Sequence, residues 1–240
     1  MEEIRTSYRK AYEYVFDYIS EQILLGTLKL NDRIPTEREL SENLGISRNS
    51  IREVLHMLEI TGLIECVQGS GNYVRCDPKE YMLKSVNMVM SLLKINYTEI
   101  FHIRMGYELT ALKLAIEVAT DEEIEEMRQT LLMMEEPMSA KESAKYDVQF
   151  HSQLLKSSHN RLLKLYSDML SDLMDQFIVD FRERILMNKQ RADALKKSHW
   201  EIYHGLKDRD YAKGRTAMEK HFEVVYEQVS KIERMMAYEG

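Results

Sequence analysis

The chain has 240 residues, 44% hydrophobic and 30% charged, enough for two compact domains or one large one. No run of eighteen apolar residues occurs, and MEEIRTSYRK has no apolar signal core; this excludes a helical membrane span and sets the expected location as the cytoplasm. The net charge is −7, and residues 1–78 hold 9 Lys+Arg against 13 Asp+Glu, so any case for nucleic-acid binding rests on where the arginines point.

Residues 8–25 place Val15, Ile19, Ile23 and Leu24 at helical spacing, predicting one amphipathic helix ended by Gly26. Residues 28–32 form a short connection. Pro35 then stops any earlier helix, and Thr36 with Glu39 fits a capping box. Gly45 supplies the positive φ that ends this second helix, and Ser47 caps a third that opens Arg48-Asn49-Ser50. Leu40, Leu44, Ile46, Ile51, Val54, Leu55 and Leu58 give the pair its apolar set. Short polar side chains around an arginine, at an outward helix start, are what a helix-turn-helix places against base edges in the major groove.

Helix-turn-helix geometry also occurs in proteins that never touch DNA; the continuation decides between the two. Leu63–Val67 and Asn72–Val74 read as two strands around Gln68-Gly69-Ser70-Gly71, which makes a winged helix. A Gly/Ser tip can lie against a phosphate backbone or enter a minor groove. Cys66 and Cys76 flank this hairpin, either facing each other across it or packed as small reduced thiols.

Arg75-Cys76-Asp77-Pro78 marks a boundary, dividing the chain into 1–77 and 78–240. Glycine is then sparse and helical patterns dominate, near 79–94, 98–118, 121–135, 140–157, 160–187, 189–207 and 211–236. Thr98 and Thr120 are expected N-caps, and Asp210 is expected to cap the last helix. The fold class is mainly α: a winged helix with a small β-hairpin, then an all-α bundle of six or seven helices.

In the second part Asp147 and His151 are four apart and share a helix face. His199 and His221 lie at similar distances either side of a turn near Asp208-Arg209-Asp210, so antiparallel helices hold their rings level. One carboxylate and three imidazoles suit a divalent ion such as Zn, Ni, Fe or Mn, with open positions for a ligand carboxylate. Histidines in a helical bundle are often hydrogen-bonded core instead. His56, His102, His159 and His204 show no partner pattern.

Two family resemblances follow from these residues. Arg33-Ile-Pro-Thr-Glu-Arg-Glu-Leu40, Leu44-Gly-Ile-Ser-Arg48, Ile51-Arg-Glu-Val-Leu55 and Gly69-Ser-Gly71 resemble the N-terminal domain of the GntR family of bacterial transcription regulators. In its FadR branch the positions matching Arg38, Arg48 and Arg52 contact the operator. The positions matching Ser47, Asn49 and Ser50 assist, as does the wing at Gly69, Ser70 and Gly71. Tyr146-Asp147-Val-Gln-Phe150-His151, Ser157-Ser-His-Asn160 and His199-Trp-Glu-Ile-Tyr203, with His221-Phe222, resemble that branch's all-helical FCD domain. The resemblance implies metal binding by Asp147, His151, His199 and His221, and a small carboxylate effector on the metal. It places Arg104 near the effector, with an interhelical salt bridge to Glu108 as the alternative. It also marks Asn160, as either a pocket residue or a helix cap. Trp200 stands where the family commonly has arginine and suggests an apolar pocket wall; His159 stands where glycine is usual.

The expected protein is a DNA-binding transcription regulator, a repressor or an activator, acting on a palindromic operator as a homodimer and responding to a small carboxylate. The alternative is a metal-dependent hydrolase or lyase at the Asp/His site. A third reading keeps the metal purely structural.

Overall fold

The computed structural model describes the backbone of residues 2–77, 80–136, 139–170, 178–179, 182 and 184–239, and the side chains of these except 2–10, 80–82, 232 and 234–239. The chain forms two compact units, residues 1–86 and 87–240. The division falls inside a helix, where the sequence expectation set it at 77/78.

In the first unit, α1 (Glu2–Leu24), α2 (Glu37–Leu44) and α3 (Arg48–Ile60) precede a hairpin of β1 (Ile64–Val67) and β2 (Gly71–Val74). The signals read from the sequence act as expected. Thr36 and Glu39 close a capping box on α2, Gly45 ends it at φ 66°, and the Ser47 side chain accepts from Ser50 N–H at the start of α3. Val15 and Ile19 of α1 pack with Leu40, Ile51, Val54, Leu58, Ile64 and Val74. Each such side chain contributes roughly 1.5–3 kcal/mol on full burial.

The hairpin is antiparallel, with Glu65 opposite Tyr73 and Val67 opposite Gly71. It also has a neighbour that the sequence reading took for plain connection. Arg33 bridges to Tyr73, and the backbone of 31–34 exchanges hydrogen bonds with Asn72 and Val74. A single bridge carries no alternating pattern to reveal it. Both cysteines are free and exposed, against the expectation of packed thiols. Cys66 faces Asn72 in the register.

The second unit begins within α4 (Glu80–Leu92) and then holds α5 (Tyr97–Val118), α6 (Asp121–Met133), α7 (Ala140–Ser157), α8 (Arg161–Met169), α9 (Lys189–Lys207) and α10 (Tyr211–Glu239). The single helix expected over 160–187 is not continuous: α8 ends at Met169 with Leu170 as its C-cap. Residues 171–177 lie outside the described residues. Asn96, not Thr98, caps α5. Thr98 instead bonds the Glu233 carboxylate through its N–H at 2.8 Å and its hydroxyl at 2.6 Å. Thr120 caps α6 as expected, and Asp210 Oδ1 accepts from Lys213 N–H at the start of α10.

The core is built on the α9–α10 hairpin, with α10 against α5 and α5 against α7. Phe150, Leu112, Leu154, Met218, Ile202 and Phe222 are almost wholly buried in it. Gly205 of α9 sits so close to Gly214 of α10 that an added Cβ would stand 2.3 Å from the Gly214 Cα. That approach brings the two helices, and the histidines they carry, together. Among the described residues no helix is long and apolar enough to cross a membrane.

Candidate functional site

Two groups of side chains stand out, one in each unit. In the first, Arg38 of α2 and Arg48 and Arg52 of α3 line one concavity with Thr36, Glu37 and the wing residue Gly71. Two helices and a hairpin thus present three guanidiniums on one face. Arg38 and Arg52 expose 68% and 63% of their side chains, so both heads can meet a phosphate or a base edge. Ser47, Arg48, Asn49 and Gly69 are exposed and Ser70 is half-buried. Ser70 shares a 2.6 Å hydrogen bond with the Tyr73 hydroxyl, which stiffens the wing tip.

Two details differ from the expectation. Ser50 is buried, its hydroxyl 2.9 Å from that of Ser47, so it supports the cap from inside and is not presented outward. The arginine face, expected to meet DNA through its arginines and small polar residues, also contains a carboxylate. Glu37 accepts from Arg52 Nε at 3.0 Å and Nη2 at 2.7 Å. The hydrogen bond from Arg52 holds the Glu37 carboxyl below the usual range.

In the second unit His151 from α7, His199 from α9 and His221 from α10 converge. One ring nitrogen from each lies within 4.8 Å of the other two, and all three residues are buried. The ring centroids of His199 and His221 are 4.5 Å apart, which is the level placement that counting from the turn predicts. Nδ1 of His151 meets Glu108 and Nδ1 of His221 lies 3.2 Å from the Ser198 hydroxyl. Nε2 of all three rings has no hydrogen-bond partner. Buried polar atoms are rarely left so. His151 and His221, fixed through Nδ1 with Nε2 free, have the usual form of metal-ligating histidine, while neither nitrogen of His199 has a hydrogen-bond partner.

Burial drives the His199 pKa down from 6.5 to about 4, and it pushes His221 well below its ordinary value. Both rings are therefore neutral at pH 7, the protonation state a metal needs. Asp147 shares the site. Burial would raise its pKa, but Arg182 and the neighbouring histidines outweigh that and hold it well below the usual carboxylate range. Its Oδ1 is 3.1 Å from His199 Nε2, off the line of a hydrogen bond, and 2.8 Å from Arg182 Nη1.

Arg104 does pair with Glu108, at 2.7 Å, but within α5 and not between helices as expected, and its Nη2 stays 3.7 Å from Asp147 Oδ2 with no hydrogen bond. It lines a small cavity of about 80 Å³ with Tyr107, Glu108, His151 and Ser167. Asn160 takes its capping alternative: it accepts from the N–H groups of Leu162 and Leu163 at the start of α8 and is not among the residues lining that cavity. Trp200 is no pocket wall; its indole donates to Glu135 at 2.8 Å. His159 has φ 51°, the left-handed conformation that suits the family's glycine, and its ring pairs with Glu123. Arg182, Glu108 and Ser198 complete the surroundings. Sequence reasoning missed Arg182 and Ser198 and weighed Glu108 only as an arginine partner.

A winged helix followed by an all-helical unit is the domain order of a two-domain, DNA-binding transcription regulator. The bacterial regulatory proteins of the gntR family match residues 11–74, and the FCD domain matches residues 99–224, more than half of the chain. The chain belongs to the GntR family and carries its FCD domain. It is a transcription regulator and not an enzyme. It is 28% identical over 82% of its length to the HTH-type transcriptional regulator LutR of Bacillus subtilis, covering 90% of that protein. It is 29% identical to the Uxu operon transcriptional regulator of Escherichia coli, with 92% of this chain and 87% of that one aligned. It is 27% identical to the Glc operon transcriptional activator of the same organism, with 94% and 91% aligned. The solved structure of Streptococcus agalactiae GntR shares the fold, with a TM-score of 0.64 at 24% identity over 90% of this chain and 99% of that one.

Proposed function

We propose that this regulator binds a palindromic operator as a homodimer in the cytoplasm and that a small carboxylate, bound at a divalent metal in the histidine cage, sets its affinity for DNA. Arg38, Arg48 and Arg52 are the operator contacts. Ser47 and Asn49 reach the groove beside them, and Gly69, Ser70 and Gly71 approach the backbone. One reading helix spans too few base pairs alone, so two copies on two half-sites supply specificity.

In the second unit His151, His199, His221 and Asp147 hold the metal. Such an ion would supply a Lewis-acidic centre for a carboxylate oxygen. The chain's own part is to fix the rings through Glu108 and Ser198, exclude water, and offer Arg104 Nη2 to the ligand. A planar guanidinium suits a carboxylate well. The observation that carries this reading is the set of three buried imidazole nitrogens without partners beside a buried carboxylate.

The test uses the full chain and a duplex selected from a randomised pool by the wild-type protein. Thermal shift is measured with Zn, Ni or Mn, alone and with a panel of small carboxylates, and gel shift follows under the same conditions. A metal-dependent rise in melting temperature with one carboxylate class, together with a changed DNA affinity, is expected. Metal stabilisation with no carboxylate effect on either readout would make the metal purely structural and overturn the sensing role.

A further inference from the structure

The charges around the cage include one that ligand binding as proposed leaves unused. Arg182 is buried, donates from Nε to Ser143 Oγ at 2.8 Å and from Nη1 to Asp147 Oδ1 at 2.8 Å. That same Oδ1 is the one facing His199 Nε2 at 3.1 Å. Arg182 thus occupies the oxygen that lies closest to the cage.

Among the described residues, the four charged side chains buried around the cage balance. Asp147 and Glu108 carry two negative charges, and Arg104 and Arg182 two positive ones, all within 6% of full burial. A divalent ion adds two positive charges to this balanced set. In a low-dielectric interior such an excess is strongly unfavourable unless an anion accompanies it.

We infer that Arg182 is a positioning residue that holds Asp147 against metal binding and passes to an incoming carboxylate when metal and carboxylate enter together. The inference rests on the metal reading of the three-histidine cage. Arg182 hands its donors from Asp147 to the new anion, where Arg104 Nη2 already stands without an acceptor. Asp147 is then free to turn fully to the cage. Because Arg182 lies on the stretch between α8 and α9, its transfer couples ligand entry to that stretch of chain. Metal and carboxylate bind cooperatively as a result, by linkage.

The test measures Zn²⁺ affinity of the chelator-treated full chain by competition with a chromophoric chelator, with and without succinate. In the wild type, succinate is expected to tighten Zn²⁺ at least fivefold. In Arg182→Gln, Zn²⁺ alone binds at least tenfold tighter than in the wild type, and the succinate effect falls below twofold. Ser143→Ala loosens Arg182 without removing its charge, so it gives a smaller gain of about twofold to fivefold and carries the test if Arg182→Gln fails to fold. A purely structural Arg182 would weaken Zn²⁺ binding on removal. Wild-type Zn²⁺ binding with unchanged or weaker affinity in both variants, or an intact succinate effect in Arg182→Gln, overturns this inference alone. No Zn²⁺ uptake by the wild type, matching His221→Ala, overturns the metal reading and this inference with it.

Discussion

Gly205 and Gly214 face each other across the α9–α10 turn at a distance that leaves no room for a methyl group on the first. A Cβ on Gly205 would meet the Gly214 Cα at 2.3 Å and its N at 2.5 Å, whereas a Cβ on Gly214 would meet Leu112 methyls at 3.4 Å and the Gly205 Cα at an ordinary 3.6 Å. Backbone cannot rotate away as a side chain can. Gly205→Ala is expected to cost about 3 kcal/mol or more by forcing the helices apart, a fall of roughly 6–12 °C in the melting of this unit. Gly214→Ala should cost under about 1 kcal/mol, since a Leu rotamer can give way. Calorimetry of both variants checks the asymmetry; equal losses would show that the close approach is not real.

The arginine face predicts a second asymmetry, this time on DNA. Arg48→Ala should weaken binding to a selected duplex by about 1–3 kcal/mol, roughly fivefold or more. Glu37→Gln should act differently. It removes a negative charge from the face, so affinity for random duplex rises. It also leaves a single amide oxygen where two charged oxygens hold the Arg52 head, so the head loosens and preference for the selected duplex falls. Gel shifts at several salt concentrations separate the two effects, because each lost phosphate contact flattens the salt dependence by about one unit. Random-duplex affinity unchanged in Glu37→Gln would remove the carboxylate from this account.

Local signals were the legible part of this protein. Thr36 with Glu39, Gly45, Ser47 and Thr120 each act within three or four residues, so their spacing alone specifies the caps. The level placement of His199 and His221 was also readable, because a helical hairpin converts sequence distance from the turn into height. What escaped depends on neighbours far along the chain. Arg182 meets Ser143 and Asp147 from 39 and 35 residues away, with no periodicity to announce it. Ser50 reads as a polar residue at an exposed helix start, yet the cap geometry turns it inward. Trp200 reads as pocket lining only if its helix face is known, and Glu135 fixes it elsewhere.

Protonation supplies a third prediction. His199 titrates near 6.5 in an unfolded chain and at about 4 when folded, and His221 shifts the same way, both through burial. Between these values the unfolded chain binds protons that the folded one refuses, so stability falls as pH drops through that window. Asp147, lowered below 3.8, keeps its stabilising contribution throughout the window and does not offset the loss. Between pH 7 and pH 5 His199 alone should cost about 2 kcal/mol. Urea unfolding of the chelator-treated protein at pH 7, 6 and 5 tests this, with His199→Gln expected to flatten the slope. Stability that is level or rises toward pH 5 would contradict it.

The turn that sets the two histidines level is itself held by Arg209. Its guanidinium donates to the carbonyls of Ile116 at 3.1 Å and Ala119 at 2.6 Å, and more weakly to Ala115, at the C-terminal end of α5. The Ala115 carbonyl also accepts from Ala119 N–H, but the Ile116 and Ala119 carbonyls lie past the last such bond of the helix, and a cation there also suits the helix dipole. Arg209 adopts φ 55°, a conformation costing a non-glycine residue about 1–2 kcal/mol. Arg209→Ala loses the carbonyl contacts and keeps the backbone cost, so it should destabilise the unit by about 1–3 kcal/mol. Arg209→Gly loses the same contacts but relieves the backbone, and should therefore be the milder change. Arg209→Lys keeps the charge without the fork and should fall near the wild type only if dipole attraction dominates. Chemical denaturation of the three variants orders them. If glycine were the most harmful, the carbonyl contacts would be secondary and unfolded-chain entropy would govern this turn.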